Sequence, residues 1–533
     1  KRRFVKEKTI IGCNFQVAAD YCFYKRKRDR TLKKSFGSPP LLTFYLVDFA
    51  GILPNSFHVL AHMQLIPALL GLNLGILLFL LVLTWLTGKS YCSAICPLGI
   101  FQDIAIWISR KRDKKKHYDY RRALNRWRWG ILLLIVVAGF SGFMFLVSLF
   151  DPYSAYGRIV VNVLKPLYLV VNNFLTWIFT MFDNYTFYYM DIIVTSVSAL
   201  VIAFMTVLVV GYLAYRYGRI YCNTVCPVGT LLGFISKYSL FKVHIDTSKC
   251  NSCGLCARKC KASCIDSKKH EIDYSRCVVC FDCIDNCRQG AISYTLRYKK
   301  ESQKNISSDE PDISKRTFVA TLTAVALTAP KSAMSQSVGV LTGNKPYKKE
   351  HPLSPPGSIS AEHFNQHCTA CHLCVSKCPS HVLKPSLLEY GVGGILQPVM
   401  NFENGFCNYD CTLCSEICPN KAILPLTKEE KHLTQVGHVV FIEENCIVHT
   451  DNTNCGACAE HCPTQAVTMV PYRDGLTIPK INPDICVGCG GCEYVCPVRP
   501  FRAIHIEGNP VHLQAKPIQI NKVDETEIDD FGF

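Results

Sequence analysis

Cysteine spacing constrains this chain more than any other feature. Of its 31 cysteines, 29 stand in recurring groups built on C-x2-C or C-x3-C spacing, Cys446 joining its group across x8, and only Cys13 and Cys22 stand apart. Disulfide scaffolds are usually short secreted chains without one repeated local grammar, whereas this chain has 533 residues. Thiolates grouped in this way read as ligands of [4Fe–4S] clusters, four per cubane.

The run Cys250-x2-Cys253-x2-Cys256-x3-Cys260 is followed by Cys277-x2-Cys280-x2-Cys283-x3-Cys287. This is two-cluster ferredoxin spacing, in which the fourth cysteine of each run serves the other cluster. One cluster takes Cys250, Cys253, Cys256 and Cys287, and the other takes Cys277, Cys280, Cys283 and Cys260. Cys264 is surplus and is an alternative to Cys260. Structural zinc needs four ligands per metal but not this interleaving. Four further groups each end in Cys-Pro: Cys368, Cys371, Cys374, Cys378; Cys407, Cys411, Cys414, Cys418; Cys446, Cys455, Cys458, Cys462; and Cys486, Cys489, Cys492, Cys496. They supply four cubanes, six in all. The second group has x3 after Cys407 and the third has x8 after Cys446. Cys368-Thr-Ala-Cys371-His372 also matches the haem attachment motif. Both cysteines already complete a cluster run, so His372 is expected at the surface.

Apolar residues crowd the first half of the chain. Leu65–Gly88, Gly130–Phe150 and Ile192–Leu213 are long enough to span a bilayer, which takes about 20 residues; Leu41–Leu53, with Asp48, is a shorter fourth candidate. The loop Arg110–Arg128 carries ten Lys/Arg against two Asp, while Asp151–Met190 has only Arg158 and Lys165 as Lys/Arg residues. The positive-inside rule makes the first cytoplasmic and the second external. With the basic Lys25–Lys34 also inside, four spans result. The formal charge of +17 flanks these apolar runs without any recognition motif, so nucleic acid is not an expected partner.

Gly88-Lys-Ser-Tyr91-Cys92-Ser-Ala-Ile-Cys96-Pro97-Leu-Gly99 recurs as Gly218-Arg-Ile-Tyr221-Cys222-Asn-Thr-Val-Cys226-Pro227-Val-Gly229. Each copy follows an inward-running span. Neither pair alone completes a metal site. Across a pseudo-twofold axis Cys92, Cys96, Cys222 and Cys226 supply four ligands for a candidate seventh site; reduced thiols or two redox-active pairs are the alternative. Downstream, Ser314–Ala329 is a basic pair before a run of small apolar residues, which reads as an internal export-type signal or as a linker helix. No G-x-G-x-x-G, P-loop or H-E-x-x-H sequence is present.

With these motifs in hand, the first 300 residues resemble the membrane ferredoxin-type quinol dehydrogenase subunits of periplasmic nitrate reductase systems. The C-terminal part is similar to four-cluster electron-transfer subunits exported by the twin-arginine route, with Lys315-Arg316 where that signal has two arginines. The resemblance implies a natural fusion of the two. In the four-cluster family the first and fourth groups share one cluster pair and the second and third share the other. Cys378 and Cys496 would then cross over, as would Cys418 and Cys462.

The expected fold is multi-domain: an α-helical membrane domain plus two small α+β bacterial-ferredoxin-like iron–sulfur domains. A basic segment at 1–40 precedes a membrane domain at 41–240. A two-cluster domain at 241–298, a linker with signal-like helix at 299–344 and a four-cluster domain at 345–533 follow. The expected function is electron transfer between the quinone pool and a partner reductase or electron carrier; an assembly factor for a respiratory metalloenzyme is the alternative. Asp48, His58 and His62 are candidates for proton release. The expected location is the bacterial inner membrane, with the two-cluster domain cytoplasmic and the four-cluster domain periplasmic.

Overall fold

The computed structural model describes residues 59–113, 117–192, 196–297, 345 and 347–517. The basic segment at 1–40, the candidate crossing Leu41–Leu53 with Asp48, residue His58, Ser314–Ala329 and residues 518–533 lie outside these residues.

Two of the expected spans are broken. Leu65–Gly88 divides into α1 (Leu65–Leu70) and α2 (Leu74–Thr87). Gly130–Phe150 divides into α5 (Asn125–Phe140) and α6 (Met144–Phe150), with α3 (Ser90–Ala94) and α4 (Pro97–Arg112) intervening in the chain. Gly142 lies at φ 77 in the second break, a backbone region that glycine enters without a Cβ penalty.

Asp151–Met190, expected as an external loop, instead contains a helix. It runs through α7 (Pro152–Ile159), a π-helical turn at Val160–Leu164 and α8 (Lys165–Thr180). Asp151 caps it, accepting from Ser154 N at 2.9 Å and Tyr153 N at 3.4 Å, with Pro152 in the first turn, where a missing N–H costs nothing. Arg158, Asn162 and Lys165 interrupt the apolar run and hid this helix in the sequence. The third expected span is intact as α9 (Val197–Tyr217). Among the described residues, Pro152–Thr180 and Val197–Tyr217 are the helices long and apolar enough to cross a membrane. The second motif copy folds as α10 (Ile220–Thr224) and α11 (Pro227–Ser236).

Three helices run between the two cysteine-rich units. At one end of α2, Gly71 backs onto the Pro419 carbonyl; at the other, Tyr294 Oη donates to Thr87 O at 3.0 Å. Beside the start of α5, Arg128 donates to Ser275 Oγ at 3.0 Å, and beyond its end Gly142 abuts Gly393. Ala199 near the start of α9 packs with Ala370 and Leu396, and Arg219 N, after its end, donates to Lys261 O at 2.9 Å. The two units therefore cap opposite ends of one helical unit. α6 turns back into that unit and α7 leaves it again, so Asp151 forms a buried inner tip.

The segment 241–297 is a strand, cysteine run, hairpin, cysteine run, strand. β1 (Phe241–Ile245) pairs antiparallel with β4 (Ile292–Leu296), and β2 (Ile265–Asp266) with β3 (Glu271–Ile272). The same order recurs at 434–514. There β7 (Thr434–Phe441) pairs with β10 (Ile504–Gln514), and β8 (Val467–Pro471) with β9 (Thr477–Ile481). Between Cys378 and Cys407 lies another hairpin, β5 (Leu383–Pro385) with β6 (Pro398–Met400). The C-terminal unit is thus two two-run units in tandem.

Candidate iron–sulfur sites

Four of the six cysteine runs make a cup because the backbone reverses twice around the second cysteine. Ser252, Val279, Ala370 and Gly488, just before that cysteine, have positive φ, as do Gly254, Phe281, His372 and Gly490 just after it. These are the four runs with plain spacing. The residues after the second cysteine of the irregular runs, Thr412 and Gly456, have negative φ, so extra loop length replaces the tight reversal. Amide donors turn toward the sulfurs in consequence: Ala370 N lies 3.5 Å from Cys368 Sγ.

Cys250, Cys253, Cys256 and Cys287 line one small cavity. Cys283 is acted on most by Cys277, Cys280 and Cys260 and then by Cys256 of the other set. Cys264 Sγ stands 3.5 Å from Cys260 Sγ and also hydrogen-bonds Cys277. The Cys264–Cys260 hydrogen bond is the leading cause that draws the Cys260 thiol down to about 7. The geometry gives Cys264 the place of a donor to this set.

In the C-terminal unit the pairing differs from the one the resemblance implied. Cys418 joins Cys368, Cys371 and Cys374, and Cys378 joins Cys407, Cys411 and Cys414. Cys462 joins Cys486, Cys489 and Cys492, while Cys496 lines one cavity with Cys446, Cys455 and Cys458. Neighbouring groups exchange their fourth cysteine because each hairpin holds consecutive runs together.

The motif copies converge. Cys92, Cys96, Cys222 and Cys226 are all buried, and Cys96 and Cys226 feel both Cys222 and Cys92. Pro97 and Pro227 open α4 and α11, and Cys96 and Cys226 are their caps. The first turn of α11 thus opens beside these sulfurs, and Gly229 N donates to Cys226 Sγ at 3.4 Å. A Cβ on Gly99 or Gly229 would run into the carbonyl oxygen of Cys92 or Cys222, which explains the glycine of Cys-Pro-x-Gly. Gln102 Nε2 lies 3.2 Å from Cys222 Sγ. Buried Lys89 and Arg219 flank the quartet, Arg219 paired with Asp103 at 2.7 Å.

Burial pushes the Cys371 and Cys489 thiols up to about 12 and Cys486 up to about 11, with neighbouring cysteines adding to the rise. Four crowded, desolvated thiolates need a positive centre among them, and an iron core with amide donors around it fits that requirement.

Side chains shared between neighbouring sets link several of them. Lys89, close to Cys92, also feels Cys277, and Arg219 feels both Cys222 and Cys280. On the other side of the quartet, Tyr221 feels Asp151 and Arg158, and both of these act on Cys371. Further along, Cys407 N donates to Cys489 O at 2.9 Å, and Cys492 feels Cys458.

His372, expected at the surface, is fully buried. Asn162 Nδ2 lies 3.2 Å from its Nδ1, and its Nε2 is 3.0 Å from Leu396 O. Sequence reading also missed the part of Arg158, Asn162 and Lys165, although the first and last were visible as the basic residues of an otherwise apolar stretch.

Residues 69–116 and 197–247 match a family model described as a 4Fe-4S binding domain, and residues 453–499 match one described as a 4Fe-4S dicluster domain. The chain carries ferredoxin-type iron–sulfur domains. The first model covers both Cys-x3-Cys-Pro copies, and the second spans the third and fourth C-terminal groups except Cys446. The ferredoxin-type protein NapF of Escherichia coli K12 is 29% identical over 171 residues, 32% of this chain and 95% of that protein. NapG of the same organism is 28% identical over 155 residues, 27% of this chain and 65% of the relative. The methylamine utilization ferredoxin-type protein MauM of Methylobacillus flagellatus is 28% identical over 156 residues, 27% and 63% respectively. No solved structure matches.

Proposed function

We propose that this chain is a transmembrane electron conduit linking the quinone pool to a partner redox enzyme. The observation that carries the reading is the buried quartet Cys92, Cys96, Cys222 and Cys226 in the helical unit, with the Cys250 and Cys277 sets at one end and the Cys368, Cys407, Cys486 and Cys446 sets at the other. Clusters bound at these sets would supply one-electron carriers. The chain holds their thiolates, buries them and spaces them.

The helical unit presents a broad apolar surface, with Phe140 91% exposed and Leu78 and Leu133 each 64% exposed. At 1.5 Å per residue α9 is about 31 Å long, close to the roughly 30 Å of bilayer hydrocarbon. The basic Arg110–Arg128 loop favours a cytoplasmic two-cluster unit, which leaves the four-cluster unit on the other face. The resemblance to quinol dehydrogenase subunits and the names NapF, NapG and MauM support a redox-enzyme partner. Quinol oxidation yields quinone, two protons and two electrons, which the conduit takes one at a time. Of the candidates for proton release, His62 is the described one, at the end of the short helix Val59–His62. An assembly role needs no continuous series, and no observation favours it.

Chemical analysis of the purified protein should find about 28 iron and 28 sulfide per chain, from seven four-iron sites. Fewer than about 16 of each would contradict the reading. Rapid reduction of the purified protein by a menaquinol analogue is expected; no reduction would favour the assembly role.

A further inference from the structure

Arg158, Asn162 and Lys165 reach from one helix into a single cysteine run of the C-terminal unit. Arg158 Nη1 donates to Ala370 O at 3.3 Å. Asn162 Nδ2 donates to His372 Nδ1 at 3.2 Å. Lys165 Nζ donates to Ser376 O at 2.9 Å and lies 3.2 Å from Ser376 Oγ. Ala370, His372 and Ser376 alternate with Cys368, Cys371, Cys374 and Cys378, so the helix grips the loop on which the sulfurs stand. The π-helical turn Val160–Leu164 lies within this grip, and such turns are frequent at functional sites.

Arg158 is 0% exposed. Its other hydrogen bonds go to Ser148 Oγ at 2.7 Å and Ser148 O at 2.9 Å, so every partner of the guanidinium is neutral. Asp151, the acid nearest in the same helix, is taken up by Ser154 Oγ, Ser154 N and Tyr153 N. A buried cation without a hydrogen-bonded anion costs several kcal/mol. Charged groups inside a membrane are retained where they face a partner of function. Of the charged or ionisable groups around it, Asp151 acts on Arg158 most, then Tyr221 and, on the C-terminal side, Cys371; four thiolates around an iron core make that last neighbour part of an anionic site.

We propose that Arg158 is the counter-cation of the site formed by Cys368, Cys371, Cys374 and Cys418, held in register by Asn162 and Lys165, and that this charge raises the reduction potential of that site. The proposal rests on the conduit reading, in which this set is the entry to the C-terminal unit. One electron entering the site adds one negative charge, with no bond made or broken and no proton taken up. A fixed cation stabilises the reduced form over the oxidised one. The entry site is thereby the favoured acceptor for electrons arriving through the helical unit. Arg158 acts as a positioning and tuning residue, not a ligand.

Redox titration of the full-length detergent-purified protein, followed by electron paramagnetic resonance and iron analysis, tests this. Cys371→Ser identifies the site by the signal and iron it removes. In Arg158→Gln that one signal should move to more negative potential while the others stay, and Arg158→Lys should restore most of the shift. Unchanged potentials with full iron content would overturn the proposal. If Arg158→Gln does not load iron, Lys165→Gln replaces it, with a smaller shift of the same signal in the same direction expected; no shift would overturn the proposal. Should Cys371→Ser leave iron content and spectrum intact, the conduit reading itself fails, a result distinct from an unmoved potential.

Discussion

Gly99 and Gly229 are each the fourth residue of a Cys-Pro-x-Gly turn, and the backbone carbonyl they shield leaves no room for a methyl group. Gly229→Ala should push α11 off the Cys222 carbonyl, at a cost of about 1–3 kcal/mol for an overpacked position. About four of the bound irons should be lost while the ferredoxin-type sets keep theirs; iron analysis with full loading would contradict that role. A second residue-scale expectation concerns pH. Burial, then Lys349 and His438, draws His505 down to about 4, so it stays neutral in the folded chain where the unfolded chain would protonate it near 6.5. Its contribution is complete above pH 6.5 and is lost as pH falls from there toward 4. Thermal melts should therefore lose more stability between pH 7 and 5 than those of His505→Phe, by on the order of 1 kcal/mol. At this scale the cysteines were legible because their roles are written in local spacing. His372 was not: its partner Asn162 stands 210 residues away, and a motif read in isolation left it on the surface.

Helices and strands were legible in kind but not in their breaks or exchanges. α9 (Val197–Tyr217) lies over most of the expected run Ile192–Leu213, because no charged residue interrupts that run. α1 and α2 part at Gly71 where the chain backs onto Pro419, a contact with the far C-terminal unit that no local pattern reveals. The re-entrant pair α6 and α7 was hidden by Asp151 between them and Arg158 within α7. The fourth-cysteine exchange followed the hairpin between consecutive runs, which outweighs the nested order implied by resemblance. This pairing predicts a non-additive result. Cys378→Ser and Cys411→Ser should each remove about four irons and together still remove about four, because both would serve one site. Cys378→Ser combined with Cys489→Ser should remove about eight. Iron analysis with the two double variants reversed would restore the nested arrangement.

Across the whole molecule, the two cysteine-rich units stand at opposite ends of the helices, and the proposed function joins their sulfur sets into one series. The sequence supplied the pieces of this arrangement, including the basic loop, the paired motifs and the cluster runs. Its topology left a gap between the two units. Arg158, Asp151 and Tyr221 occupy that gap, between Cys222 and Cys371, and only tertiary contact brings them there. If the series is a conduit, electrons must cross a sealed membrane through this chain alone. The most direct measurement uses the full-length protein in liposomes loaded with ferricyanide, with dithionite added outside. The account predicts internal ferricyanide reduction far above that of protein-free vesicles, falling to their level when Cys96→Ser and Cys226→Ser break the quartet. No reduction above protein-free vesicles, or an equal rate in the quartet variant, would contradict it.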